Sequence, residues 1–471
     1  MFESVSRAVG SLWWRLLRNG PPDDPADEPV DVLITAQEHE RVVLHVLDLA
    51  TRLGDAMLSA GASAHEVTVA STRAARAYGL TDVHVVVTYN SLSVSFQQGE
   101  DEWPATVMRV VKWDAPDHSK LQALQELLYR IEGGLDLNLA RARLRRIRRT
   151  RFPYRPAAVV VASALLAMGV SVMFGASAAI MAATFAAALM AAVVQATLAR
   201  TGLPLFFNQV AGGFVVTLVT VGVTAAGDAG LEVFTDVRPS IIVASGIMMM
   251  LAGMSAVGAT QDAIDGFAVT ASGRILDLMM RTLGVVIGIL VGLQVGVVMG
   301  TVVPLLPTAL PFGSVPQQLV GAAVVSAAAA LTNGGRLKTI FVSGMLGGVT
   351  MIGFAVATAL GLDMATASGV GALASSFAGG VAAKRLHIPA IAVTTAAIIP
   401  LVPGVAIFRG LLGIVQAEGA FDGLVIGGNA LVLAAITAVA LAAGVSFGLY
   451  MATPVRDTLR RVTRSRVGLH H

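Results

Sequence analysis

Cysteine is missing from the 471 residues, which excludes disulfides and thiolate metal sites and leaves the redox compartment unread. Charge is scarce too: 13% of residues are Asp, Glu, Lys or Arg against 55% hydrophobic ones, and the mean hydropathy is +0.73. A chain so apolar cannot be one soluble domain of this length, so lipid must be part of its solvent. No phosphate loop or nucleophile elbow occurs, and His65-Glu66 lacks the second histidine of a zinc-protease helix. No catalytic residue, metal or cofactor is therefore expected. No cleavable leader is expected either, because the apolar stretch at 12–17 is short, carries Arg15 and runs into PPDDPADEP. Trp13 and Trp14 beside Arg7, Arg15 and Arg18 fit an amphipathic helix among lipid headgroups, and an unstructured leader fits as well.

What the chain does contain is an almost continuous apolar stretch from 156 to 452. A hydrocarbon core of about 30 Å needs roughly 20 helical residues. Cut at its Gly, Pro and charged interruptions, the stretch yields ten such segments, at 157–175, 177–199, 204–226, 238–259, 281–303, 316–333, 338–360, 365–383, 389–416 and 424–451. The expected organisation is a leader and linker (1–37), an α/β domain with a basic tether (38–155), two transmembrane halves (156–304 and 316–452) and a basic tail (453–471).

The basic run RARLRRIRRTRFPYR at 141–155 fixes an orientation. If it is cytoplasmic, ten crossings return the tail to the same side. Arg200, Arg274, Arg281, Arg336, Lys338, Lys384 and Arg385 then also fall inside, and Arg238 alone falls outside, as the positive-inside bias requires. Both termini are thus expected in the cytoplasm of a multi-pass cell-membrane protein. The basic runs read as membrane-surface signals rather than nucleic-acid contacts. The Pro-rich loop 304–316 divides ten crossings into five and five, so related halves would insert in opposite senses, the inverted-repeat construction of many secondary transporters. Met250-Leu251-Ala252-Gly253 in the fourth segment and Leu401-Val402-Pro403-Gly404 in the ninth form a modest internal match.

Polar residues inside the crossings are the candidate site. Pro400, Pro403 and Gly404 must kink or break the ninth segment, and backbone groups freed at bilayer depth are tolerated only against protein or water. Arg409 follows within two turns, where a guanidinium either holds a substrate carboxylate or snorkels to the surface. Asn208 and Gln209 are amides able to read a hydroxyl or to bond neighbouring helices. The connection 261–281 carries Asp262, Asp265 and Asp277 with Arg274 and Arg281, which suits proton coupling or a plain salt-bridged loop. In the α/β domain, helices are expected at 38–60, 64–78, 119–132 and 136–149, with strands in DVHVVVTY and SLSVSFQQ and around 106–112. Its His65, Glu66, His84, Asp114 and His118 form no recognised spacing, so a structural or regulatory role is favoured.

Several blocks in order now carry a resemblance: GDAMLSAGASAHEVTVASTRAARAYGLTDVHVVVTYNSLSVS, GLPLFFNQVAGGF, IIVASGIMMMLAGMSAVGATQDAIDGFAVTASGR and IIPLVPGVAIFRG. Together they resemble the threonine/serine exporter family of actinobacterial type, over nearly the whole chain. The resemblance implies a ten-helix inner-membrane carrier with a cytoplasmic N-terminal domain, exporting L-threonine and L-serine on the proton motive force. It carries the family's proline-glycine motif onto Pro403 and Gly404, its following arginine onto Arg409 and its aspartate block onto Asp262. Ala252 stands where a proline would mirror Pro403, which argues against a matching break in the fourth segment. The reading is a proton antiporter for a small amino acid, with protons and lipid as further partners and a homo-oligomer left open. A membrane-anchored hydrolase acting through the N-terminal domain and a gated channel are the alternatives.

Overall fold

The sequence alternation at 83–96 and the helical periodicity around it produce an N-terminal unit with one hydrophobic core. In the computed structural model this unit comprises α1 (Val30–Ser59), α2 (Ala64–Arg76), β1 (Val83–Val87), β2 (Ser91–Phe96), β3 (Ala105–Val110), α3 (His118–Glu132) and α4 (Leu137–Arg148). The residues described are 30–99, 103–112, 116–231, 234, 238–250, 254–303, 311–386, 388, 390–416 and 421–467. The leader with Trp13 and Trp14, Asp114, Leu251 to Gly253 and most of the Pro-rich loop lie outside them. The strands form an antiparallel sheet in the order β1-β2-β3, with Val85 opposite Val94 and Val94 opposite Val107. Leu92 and Val94 point inward from β2 while its serines alternate outward, and they meet Leu47, Leu53, Val67, Leu124 and Ile131 from the helices.

Beyond residue 155 the fold is helical: α5 (Pro156–Met173), α6 (Ala178–Ala199), α7 (Leu205–Asp228), α8 (Pro239–Met250), α9 (Met254–Ile264), α10 (Ala268–Val298), α11 (Val315–Thr332), α12 (Leu337–Ala359), α13 (Met364–Leu386), α14 (Ala390–Ile398), a 3-10 turn (Ile399–Leu401), α15 (Gly404–Gln416) and α16 (Phe421–Val467). Among the described residues seven helices are long and apolar enough to cross a membrane, and nine if each bent pair makes one span. The expected crossing at 365–383 corresponds to α13, whose many Gly and Ser residues leave it outside that count.

The fourth segment is bent despite Ala252: α8 and α9 meet at 51°, much like the 49° at Pro400 to Gly404. The connection 261–281 is mostly helix, because α9 runs to Ile264, Gly266 turns the chain at φ 89°, and α10 starts at Ala268. Asp277 and Arg281 therefore sit one turn apart on a helix.

Glycine permits close helix crossings. Gly284, Gly288, Gly292 and Gly296 line α10 at four-residue spacing, and a Cβ at Gly284 would lie 2.8 Å from the Phe206 carbonyl of α7. Gly444 and Gly448 do the same on α16, where a Cβ at Gly448 would lie 2.7 Å from the Leu373 carbonyl of α13. Small residues at this spacing let backbones approach where lipid offers no hydrophobic drive.

Candidate functional site

Local sequence shapes a junction between the N-terminal unit and the membrane helices. Gly61, at φ 97°, ends the turn after α1, and Ser63 caps α2. The Ser63 Oγ accepts from the Glu66 N–H at 3.2 Å, and the Glu66 Oε2 accepts from the Ser63 N–H at 3.2 Å, a reciprocal capping box. The opened first turn of α2 faces the α9–α10 corner. There the Ala64 N–H donates to Asp262 Oδ1 at 3.0 Å and Arg274 Nη1 lies 3.0 Å from Asp262 Oδ2, while Arg274 Nη2 donates to the Ala62 carbonyl at 3.2 Å. Phe267 packs into the core of the N-terminal unit, and Thr270 Oγ1 donates to the Val87 carbonyl at 3.3 Å.

A second anchor joins the same unit to the turn between α11 and α12. The His118 N–H donates to the Asn333 carbonyl at 2.8 Å, Ser119 Oγ to Gly334 O at 2.6 Å, and Tyr154 Oη to Gly335 O at 2.7 Å. His118 is buried, and that burial lowers its imidazole to about 4, so it stays neutral at physiological pH.

Between the anchors lies a cavity of about 740 Å³. Its walls come from both parts of the chain: Ser63, His65, Glu66 and Tyr89 from the N-terminal unit, and Gln261, Asp265, Arg274, Asp277, Arg281, Thr394 and Thr395 from the membrane side. Asp277 pairs with Arg281 at 2.7 Å. Asp262, at 0% exposure, is sealed behind the wall against Arg274. Burial pushes the Glu66 carboxyl up to about 7; its hydrogen bonds with Ser63 oppose the rise, and repulsion from Asp262 and Asp265 adds to it.

Asp265 and Asp277 therefore share a cavity with Arg274 and Arg281, and Asp262 adjoins it, whereas Arg409, Pro400, Pro403, Gly404, Asn208 and Gln209 do not line it. Arg409 lies on α15 beyond the bend, partly buried, with no hydrogen bond or ion pair to a described residue. Pro400 and Pro403 remove donors as expected, and hydroxyls of neighbouring helices occupy a freed acceptor: Thr350 Oγ1 donates to Ala397 O at 3.0 Å and Ser326 Oγ reaches it at 3.5 Å. At the other bend Gln209 Nε2 donates to Met250 O at 3.4 Å while its Oε1 accepts from Gln195 Nε2 at 3.1 Å. Asn208 is buried with Oδ1 unpartnered among the described residues. Sequence reasoning gave Glu66 no role, although the S-x-x-E capping signature was readable. It also passed over Thr394, Thr395 and Thr350, for which hydroxyls in an apolar helix offer no distinguishing pattern.

Seven to nine apolar spans among the described residues, with a cavity of mixed charge where α9, α10, α14 and α16 meet the N-terminal unit, define a multi-pass membrane protein of transporter type. The family model described as "Putative threonine/serine exporter" matches residues 48–296, and a second, "Threonine/Serine exporter, ThrE", matches 318–453. The chain belongs to the threonine/serine exporter family, which consists of transporters and not enzymes. It is 31% identical over 432 residues to a "Probable threonine/serine exporter" of Mycobacterium tuberculosis, covering 88% of this chain and 78% of the relative. It is 30% identical over 443 residues to the "Threonine/serine exporter" of Corynebacterium glutamicum, covering 93% and 87%. No solved structure matches the chain.

Proposed function

We propose that this protein exports L-threonine, L-serine or a similar small amino acid in exchange for protons. The observation that carries the reading is the cavity shared by the N-terminal unit and α9, α10, α14 and α16, which offers carboxylates, guanidiniums and hydroxyls to a hydroxy amino acid. A zwitterion needs both signs of charge within one small volume, and the relatives' names point to the same substrates. At least one of Asp262, Asp265 and Asp277 carries the coupled proton, Asp265 and Asp277 being those at the cavity wall. Farther along the path, Arg409 meets the substrate carboxylate beyond the Pro400 to Gly404 bend.

The architecture we propose for this task is ten crossings in two inverted halves of five, with both termini in the cytoplasm. Packing supports it. In the first half α7 packs on α10, α9 on α10, and α8 on α5, α6 and α7; in the second α13 packs on α16, α15 on α16, and α14 on α11, α12 and α13. Each bend falls in the fourth crossing of its half.

Reconstitution in liposomes with labelled threonine and serine tests the reading. Efflux driven by an imposed proton gradient, and lost in Asp265→Asn or Asp277→Asn, is the expected result. Flux indifferent to the gradient would favour a gated channel.

A further inference from the structure

We infer that Glu66, contributed by the N-terminal unit, is the seat of the substrate ammonium, where ammonium and proton exclude one another. This rests on the exporter reading and adds to it a residue outside the membrane helices.

Glu66 lines the cavity, and its backbone is fixed by the capping box at the start of α2. One carboxylate oxygen accepts from Ser63, while the other makes no hydrogen bond to a described residue. The facing groups do not supply it with a cation of its own. Arg274 is engaged by Asp262 and the Ala62 carbonyl, and Arg281 by Asp277. The other titratable groups around the cavity are His65 on the same helix, Tyr89 after β1, Asp265 after α9 and Tyr450 on α16. With the two arginines matched by Asp262 and Asp277, Glu66 and Asp265 remain as excess negative charge.

Two carboxylates in a partly desolvated space repel unless a cation joins them. A proton on Glu66 relieves the repulsion, and so does a substrate ammonium. Glu66 sits near 7 because burial, and then Asp262 and Asp265, favour the neutral form. Both states are therefore populated around neutrality. The exchange balances: protonated Glu66 plus zwitterionic threonine gives carboxylate-bound ammonium and one released proton. No covalent bond changes beyond the transferred O–H. Competition at Glu66 makes proton and substrate alternative occupants of the cavity, beside the proton carried by Asp262, Asp265 or Asp277, and it requires the N-terminal unit to be docked.

The test uses the full-length protein in detergent and titrates threonine calorimetrically in buffers of different ionisation enthalpy. Wild-type protein is expected to release protons on binding at pH 7, with affinity falling roughly tenfold from pH 8 to pH 6. E66Q preserves the capping box, since Gln serves at that position as Glu does. It is expected to abolish the release and flatten the pH dependence, with weaker binding throughout. N-acetylthreonine, which has no ammonium, is expected to release none from either protein. Wild-type proton release retained by E66Q would overturn the role of Glu66 and leave the exporter reading standing. Failure of wild-type protein to bind threonine at all would overturn the exporter reading itself and this inference with it.

Discussion

Replacing Asp262 by alanine probes the junction most directly. Asp262 is fully enclosed and Arg274 has 12% of its side chain exposed, so the substitution leaves a guanidinium in a largely dry site without its counter-charge. Breaking one side of a buried pair costs about 3–5 kcal/mol, and the Ala64 N–H also loses its acceptor. At 1.4 kcal/mol per decade, detachment of α2 from the α9–α10 corner should become roughly 10²- to several 10³-fold more frequent. Amide hydrogen exchange over 62–70 in detergent would read this as lost protection. Combining Asp262→Leu with Arg274→Met removes both charges and should restore part of it, since the unpaired Ala62 carbonyl and Ala64 N–H each still cost about 1–3 kcal/mol. Unaltered exchange in Asp262→Ala, or a double variant no better than the single, would refute the argument that this pair holds the unit in place.

Arg409→Ala should weaken threonine affinity roughly tenfold or more, corresponding to a lost charge-assisted contact of about 1.5–3 kcal/mol, and Arg409→Lys should weaken it less; binding to correctly inserted protein checks this. Gly288→Val and Gly444→Val each push a side chain against a backbone carbonyl, of Val210 and Gly369 respectively, and should lower thermal stability in detergent far more than Gly222→Val, whose position is open. Thr350→Val keeps the volume but strips the nearer hydroxyl from the Ala397 carbonyl, and should cost about 1 kcal/mol of stability without altering membrane insertion.

Much of this fold could be read from residue patterns because its causes are local. Alternation at 83–96, the glycine after 60 and the length of apolar runs place the strands and most helices within a few residues, while the fifth expected span, 281–303, starts thirteen residues late against α10 at Ala268. The bend between α8 and α9 was not legible, since no proline marks it; the amide of Gln209 bonding the Met250 carbonyl is a tertiary contact between helices some forty residues apart. Charge in an apolar setting marks Asp262, Asp265 and Asp277 alike, yet the cavity that only the last two line depends on α14, α16 and the N-terminal unit arriving at one place. Glu66 was invisible for the same reason: a capping glutamate looks the same whether it faces water or a membrane protein's inner cavity.

The two anchors of the N-terminal unit differ in what genetic change can reach. At 262–274 the fastening is made of side chains on the membrane side, and a single codon can undo it. At 333–335 the acceptors are main-chain carbonyls, which every amino acid possesses, so substitutions there cannot delete them. Random mutagenesis selecting for a loosened unit should therefore return hits in Ser119 and Tyr154 for the second anchor, with Gly334 as a sensitive membrane-side position because a Cβ there would lie 2.9 Å from Phe152, and in Asp262 and Arg274 for the first.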